Sequence, residues 1–220
     1  MNRAFGRRRA AITYYYQRLA DQHPNSAEYS FQLGSSQTRL GDLLSGLGKQ
    51  TEAEILYRAA IKIYQRLADE HTNHSVPRRY LAPRDNNLPW QLATCPGLKL
   101  RDPKQAVTLA KRAVELAPGN GMYWNILGVA QYRNGDWKAA VEALLKSIQF
   151  RNGGDSFDFF FLAMAHWQLD EKEKARAWFE KAVAWMDKHE PNDEELKRFR
   201  AEATVLLGLA KAASTKKKKE

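Results

Sequence analysis

The sequence predicts an all-α fold, a solenoid of antiparallel helix pairs closed by a C-terminal capping helix. Three observations carry this expectation. First, the chain repeats itself. Gln17-Arg-Leu-Ala-Asp21 recurs as Gln65-Arg-Leu-Ala-Asp69, a shift of 48 that also sets Tyr16 on Tyr64, His23 on His71, Leu33 on Leu81 and Leu40 on Leu88. Second, a shorter period of 34 to 35 residues runs through the C-terminal half, where Trp124, Leu127 and Gly128 stand between Trp90, Ala93 and Thr94 on one side and Phe159, Leu162 and Ala163 on the other. Third, the 13 Gly and 8 Pro fall mostly between stretches of helical periodicity, where they punctuate rather than interrupt. A single helix pair cannot bury its apolar stripe, so repeated pairs must stack.

Taken in order, residues 1–25 read as a half-repeat helix with a basic N-terminus. Its helical part, Arg8 to Gln22, places Ala11, Ile12, Tyr15, Tyr16 and Leu19 on one side. By the 48-residue match it is the second helix of a pair, so the chain is expected to begin in mid-repeat. Residues 26–71 form a long-helix pair. Ser26 caps a helix over Ala27–Leu47, and Thr51 with Glu54 is in capping-box register for the next. Residues 72–85 are an irregular connection, because Pro77, Pro83 and Pro89 forbid the long first helix of the earlier copy. Three tighter pairs follow at 86–118, 121–152 and 156–189, the first opening with a short helix around Asn86 to Thr94. Asp102-Pro103 opens a helix with Pro at its first position, and Asn134-Gly-Asp136 and Asn152-Gly-Gly-Asp155 supply turn chemistry. Residues 193–209 form the capping helix, with Glu194, Glu195, Lys197, Arg198 and Arg200 on its outer face, and 210–220 a disordered basic tail.

The second period resembles a known pattern. Trp124-Asn-Ile-Leu127-Gly128, then Tyr132, Ala140 and Leu144, follow the Trp-x-x-Leu-Gly-x-x-Tyr and Ala-x-x-x-Phe elements of the tetratricopeptide repeat, with Tyr132 one place late. Ala106, Ala110, Ala113 and Pro118 repeat it upstream, Ala175, Phe179 and Ala182 downstream, and Leu40-Gly41 with Ala53, Tyr57 and Ala60 near the N-terminus. The resemblance covers most of residues 27 to 189. It is also similar to bacterial arrays, some joined to serine/threonine kinase domains, but no Gly-rich loop, His-Arg-Asp or Asp-Phe-Gly element is present.

What the resemblance implies is a right-handed superhelix whose first helices line a concave groove. Carried onto this sequence, the peptide-binding groove consists of Met122, Asn125, Val129, Arg133, Phe157, Phe160, Met164 and Trp167, with Gln91 upstream. Phe157, Phe159, Phe160 and Phe161 cannot all face one core on a helix of period 3.6, so some point into the groove or against the capping helix. Family members that clamp acidic chaperone tails use Lys, Asn and Arg in the groove. Here the corresponding places hold Gln91, Cys95, Ile126, Met122, Phe157 and Phe161, which does not support that partner class.

The expected function is a non-catalytic protein–protein interaction scaffold that takes a peptide of unidentified origin. No catalytic, cofactor-binding or metal residues are expected. Two alternatives stay open. One is a regulatory remnant of a larger signalling enzyme. The other is a nucleic-acid or acidic-surface binder using basic termini, since Arg3, Arg7, Arg8, Arg9 and the Lys216–Lys219 run supply most of the formal charge of +10. That concentration at the ends, rather than on a folded face, argues against nucleic acid. His71 and His74 lack companion ligands and read as helix-end residues. His166 reads as packing, and Cys95 as a small core residue without an activating base. A single cysteine excludes an internal disulfide and suits the cytoplasm. Neither a leader nor a spanning segment is legible. The oligomeric state is left open.

Overall fold

The computed structural model describes residues 2–71 and 88–209. The expected connection at 72–85, the tail at 210–220 and His74 lie outside the described residues. Those described hold ten α-helices and one short 3-10 turn, with no strand. The described residues have the all-α solenoid class: every helix except the last packs mainly on a neighbour in sequence. Two compact units divide the chain, Met1–Asp102 and Pro103–Glu220. The division falls between the two helices of the pair expected at 86–118.

The first unit contains α1 (Asn2–Gln22), α2 (Ala27–Gly46), α3 (Gln50–His71) and α4 (Leu88–Thr94), then a 3-10 turn at Leu98–Leu100. α1 starts six residues before the expected Arg8, because one Gly in a helix costs only about 1 kcal/mol and Gly6 does not stop it. α2 lies between α1 and α3. Its small residues set the spacing to α3: a Cβ on Gly34 would stand 2.9 Å from Tyr64, and one on Gly41 2.7 Å from Tyr57. Tyr57 also donates its hydroxyl proton to Asp42 at 2.8 Å, and Arg66 donates to Ser30 at 2.7 Å. Thr51 is not the cap of α3. The helix opens with Ala53 N–H donating to the Lys49 carbonyl at 3.0 Å, since left-handed Gly48 (φ 77°) reverses the chain one residue earlier.

The second unit contains α5 (Pro103–Leu116), α6 (Gly121–Arg133), α7 (Trp137–Phe150), α8 (Ser156–Gln168), α9 (Lys172–His189) and α10 (Glu194–Leu206). α6/α7 and α8/α9 are the two complete pairs; α5 packs on α6, and α10 packs mainly on α8. Side-chain caps start the helices where the sequence offers Asn or Asp: Asn120, Asp136, Asp155 and Asp193 each accept from a backbone N–H one to three residues into the helix. Gly128 permits a close approach of α6 and α7, its missing Cβ standing 2.6 Å from Leu144. Aromatic rings then fill the width between helices. Trp124 stacks on Phe150, and Phe159 on Trp178. The outer face expected of α10 is only partly outer, because Glu195 and Arg198 are half-buried and paired at 2.9 Å.

Candidate functional site

α6 and α8 are first helices in the same register, so residues two, five and nine after their N-caps Asn120 and Asp155 share one side. Those residues are Met122, Asn125 and Val129 on α6, and Phe157, Phe160 and Met164 on α8, with Arg133 and Trp167 continuing the row. Helical spacing therefore brings the eight candidates together. Their accessibility is uneven. Val129, Phe160 and Met164 have no exposed area, and Asn125 is buried. Met122, Phe157, Trp167 and Arg133 are half-buried. Gln91, in the first unit, is buried.

α10 covers part of α8. Leu196, Phe199, Ala203 and Leu207 form its buried stripe. Phe199 meets Phe161 edge-on at 4.9 Å and Phe157 at 6.2 Å, so two of the four clustered phenylalanines turn toward the capping helix. Phe160 instead meets Phe179 of α9. Arg133 extends past α8 and grips Glu202 with both terminal guanidinium nitrogens, Nη2 to Oε2 at 2.7 Å. The same guanidinium carbon stands 5.1 Å from the centroid of Phe161. Burial, and after it the Glu202 carboxylate, push the nearby Tyr132 phenol up to about 12.

A second cluster ties α6, α7 and α8 together and was not legible as such. Asp158 has no exposed area. It binds the Arg151 guanidinium, accepts from Asn125 at 2.8 Å, and accepts from the Asp155 backbone N–H at 3.2 Å. Arg151 also donates to Asp155 at 2.9 Å and to the Met122 sulfur at 3.2 Å. Burial raises the Asp158 carboxyl above its ordinary pKa, with Arg151 pulling the other way. The one sequence signal was Asp155-x-x-Asp158, a capping box spelled with Asp in place of Glu. Asn125, expected in the groove, is thus committed to a structural contact.

At the far end of α8, Trp167 lies under the Lys172 ammonium, 4.0 Å from its centroid, and its carbonyl accepts from the same group at 3.0 Å. His166 is buried against the Glu171 carboxylate, which the Lys174 hydrogen bond and then His166 hold below the usual range. Cys95 is buried and packs with Ala53 and Tyr57. Among the described residues no cluster of three or more His, Cys, Asp and Glu could hold a metal ion, and no helix is long and apolar enough to cross a membrane.

Three protein-family models, each described as tetratricopeptide repeat, match residues 33–74, 98–156 and 159–187, together more than half of the chain. The chain belongs to the tetratricopeptide-repeat family. The first match covers α2 from Leu33 onward and all of α3, the second runs from the 3-10 turn to the start of α8, and the third covers most of α8 and α9. No curated protein matches this repeat chain. Among solved structures it is similar to an assembly chaperone of RpL4 (Acl4, residues 1–338), at 15% identity over 94% of this chain and 99% of that one, with a TM-score of 0.36. That likeness is too low to transfer fold or role.

Proposed function

We propose that this repeat protein is a non-catalytic cytoplasmic scaffold that binds a protein segment along the α6–α8 face of its second unit. The observation that carries this is the half-buried row of Met122, Phe157 and Trp167 beside fully enclosed Val129, Phe160 and Met164. Partly exposed aromatic and Met side chains on a rigid apolar base are the usual anchors of a binding surface. The enclosed residues shape the floor, and the accessible three make contact. Arg133 and Asn125 act indirectly, by holding α10 and Asp158 in place. The segment taken is an extended or helical peptide.

The test is comparative affinity capture from a native extract, using the wild type and a Met122→Glu/Trp167→Glu double variant with an unchanged melting curve. Loss of a discrete partner set is expected. Identical partners for both proteins would overturn the assignment of this face.

A further inference from the structure

Among the described residues four side chains carry sulfur, and three of them are closed to solvent. Cys95 is 1%, Met164 0% and Met186 2% exposed. Met122 is half-buried, in the first turn of α6 on the face proposed to bind a segment. Oxidation of sulfur follows exposure, so a small reagent such as peroxide meets the Met122 thioether before the other three.

The sulfur is held by a fixed donor. Arg151 donates from Nη1 to the Met122 Sδ at 3.2 Å. The same nitrogen donates to Asp155 at 2.9 Å, and Nη2 binds Asp158. Both hydrogens of Nη1 are thus taken, one by a carboxylate and one by sulfur. The stem of Arg151 is pinned as well, because a Cβ on Gly121 would stand 2.5 Å from its Cγ. Met122 is anchored at its own backbone, where its N–H donates to the Asn120 side chain at 3.0 Å. Two carboxylates and the start of α6 therefore aim one N–H at one lone pair of the thioether.

That aim has a stereochemical consequence. Oxygen added to one lone pair or the other gives two epimeric sulfoxides, each reduced by its own enzyme. A methionine free in solution yields both. With Arg151 covering one lone pair of Met122, oxygen enters at the other.

We propose that Met122 is a site of reversible oxidation by hydrogen peroxide that yields one sulfoxide epimer and releases the segment bound at the α6–α8 face. The uncovered sulfur lone pair attacks one peroxide oxygen and the O–O bond breaks. The departing oxygen takes the proton of the transferred one and leaves as water, so sulfur is oxidised by two electrons and the peroxide reduced. A flexible apolar anchor becomes polar and chiral. A methionine sulfoxide reductase reverses the step, converting two thiols to a disulfide and releasing the oxygen as water. The release rests on the scaffold reading of this face; the oxidation chemistry does not.

Peroxide treatment of the purified full chain, then tryptic mass spectrometry, tests the chemistry without a partner. Met122, Met164 and Met186 fall in separate peptides, 113–133, 152–172 and 182–188. The Met122 peptide is expected to gain oxygen about tenfold faster than the other two. One of the two epimer-specific reductases should then restore nearly all of it, and the other almost none. In urea the three methionines should oxidise at one rate and give both epimers. Folded Arg151→Lys, which keeps a charge for Asp158 but has no second nitrogen for sulfur, should also give both. Equal rates in the folded chain, or an even mixture of epimers at Met122, overturn the proposal. Affinity capture then compares the reduced chain, the oxidised chain, the oxidised chain after reductase, and Met122→Glu/Trp167→Glu. Partners should be lost on oxidation and regained on reduction. Partners kept by the oxidised chain but lost by the double variant overturn the switch alone, as does a loss that the reductase does not reverse. Partners kept by both overturn the scaffold reading beneath it.

Discussion

Replacing Asp158 isolates the largest buried polar commitment in the second unit. Asp158→Ala removes the carboxylate that holds Arg151, Asn125 and the Asp155 backbone N–H. Breaking a buried ion pair from one side costs about 3–5 kcal/mol, and each neutral donor left unsatisfied adds about 1 kcal/mol. Arg151 keeps Asp155 at 2.9 Å and is about one-fifth exposed, which places the total at the lower end, about 3 kcal/mol. At roughly 4 °C per kcal/mol for a unit of this size, the melting temperature should fall by about 12 °C. Asp158→Asn keeps an oxygen for Asn125 and gives up a charge that burial opposes more strongly than Arg151 favours it. Its loss should be about 1 kcal/mol. Five of the six tryptophans lie beyond residue 103, so fluorescence-detected melting reports mainly the second unit. The pH dependence separates the charge from the contacts. Folding raises the Asp158 pKa above its ordinary 3.8, so the folded chain binds the proton first. The wild type therefore gains on Asp158→Asn as pH falls through the raised value, and the gain is complete below 3.8. Equal losses for the Ala and Asn variants, or a change within a degree for Asp158→Ala, would refute the reasoning.

Two further predictions concern packing and the α10 clamp. Gly128→Ala puts a methyl group 2.6 Å from Leu144 and 3.1 Å from the Ala140 carbonyl, and should destabilise by about 1–3 kcal/mol despite the better helix former. Gly135→Ala meets nothing within 4 Å, so any loss, about 1 kcal/mol, comes from its left-handed φ of 85° alone; denaturant melts of both variants check the contrast. An Arg133→Ala/Glu202→Ala double-mutant cycle should return a coupling of about 1–2 kcal/mol. In Glu202→Gln the Tyr132 phenol should titrate below its value of about 12, yet still above 10.0, because burial is the larger cause. Absorbance titration reads this directly.

How much was legible depended on whether the determinant was local. Caps at Ser26, Asp136, Asp155 and Asp193 and the left-handed glycine at Gly135 each act on their own few residues. Their spacing sufficed for helix order and family. Thr51 misled because capping chemistry was present one turn-choice away from where Gly48 had already reversed the chain.

The sequence by itself determined the repeat, its register and which residues share a side of each helix, since these follow from 3.6-residue periodicity and turn chemistry. Only the tertiary structure decided who covers that side. Phe199 reaches Phe157 and Phe161 from a helix some forty residues on, Glu202 clamps Arg133, and Arg151 draws Asp158 and Met122 to itself. These contacts join segments with no local pattern in common. A groove residue and a core residue carry the same apolar side chain at the same helical offset; what separates Trp167 from Phe160 is the neighbour that packing puts above it.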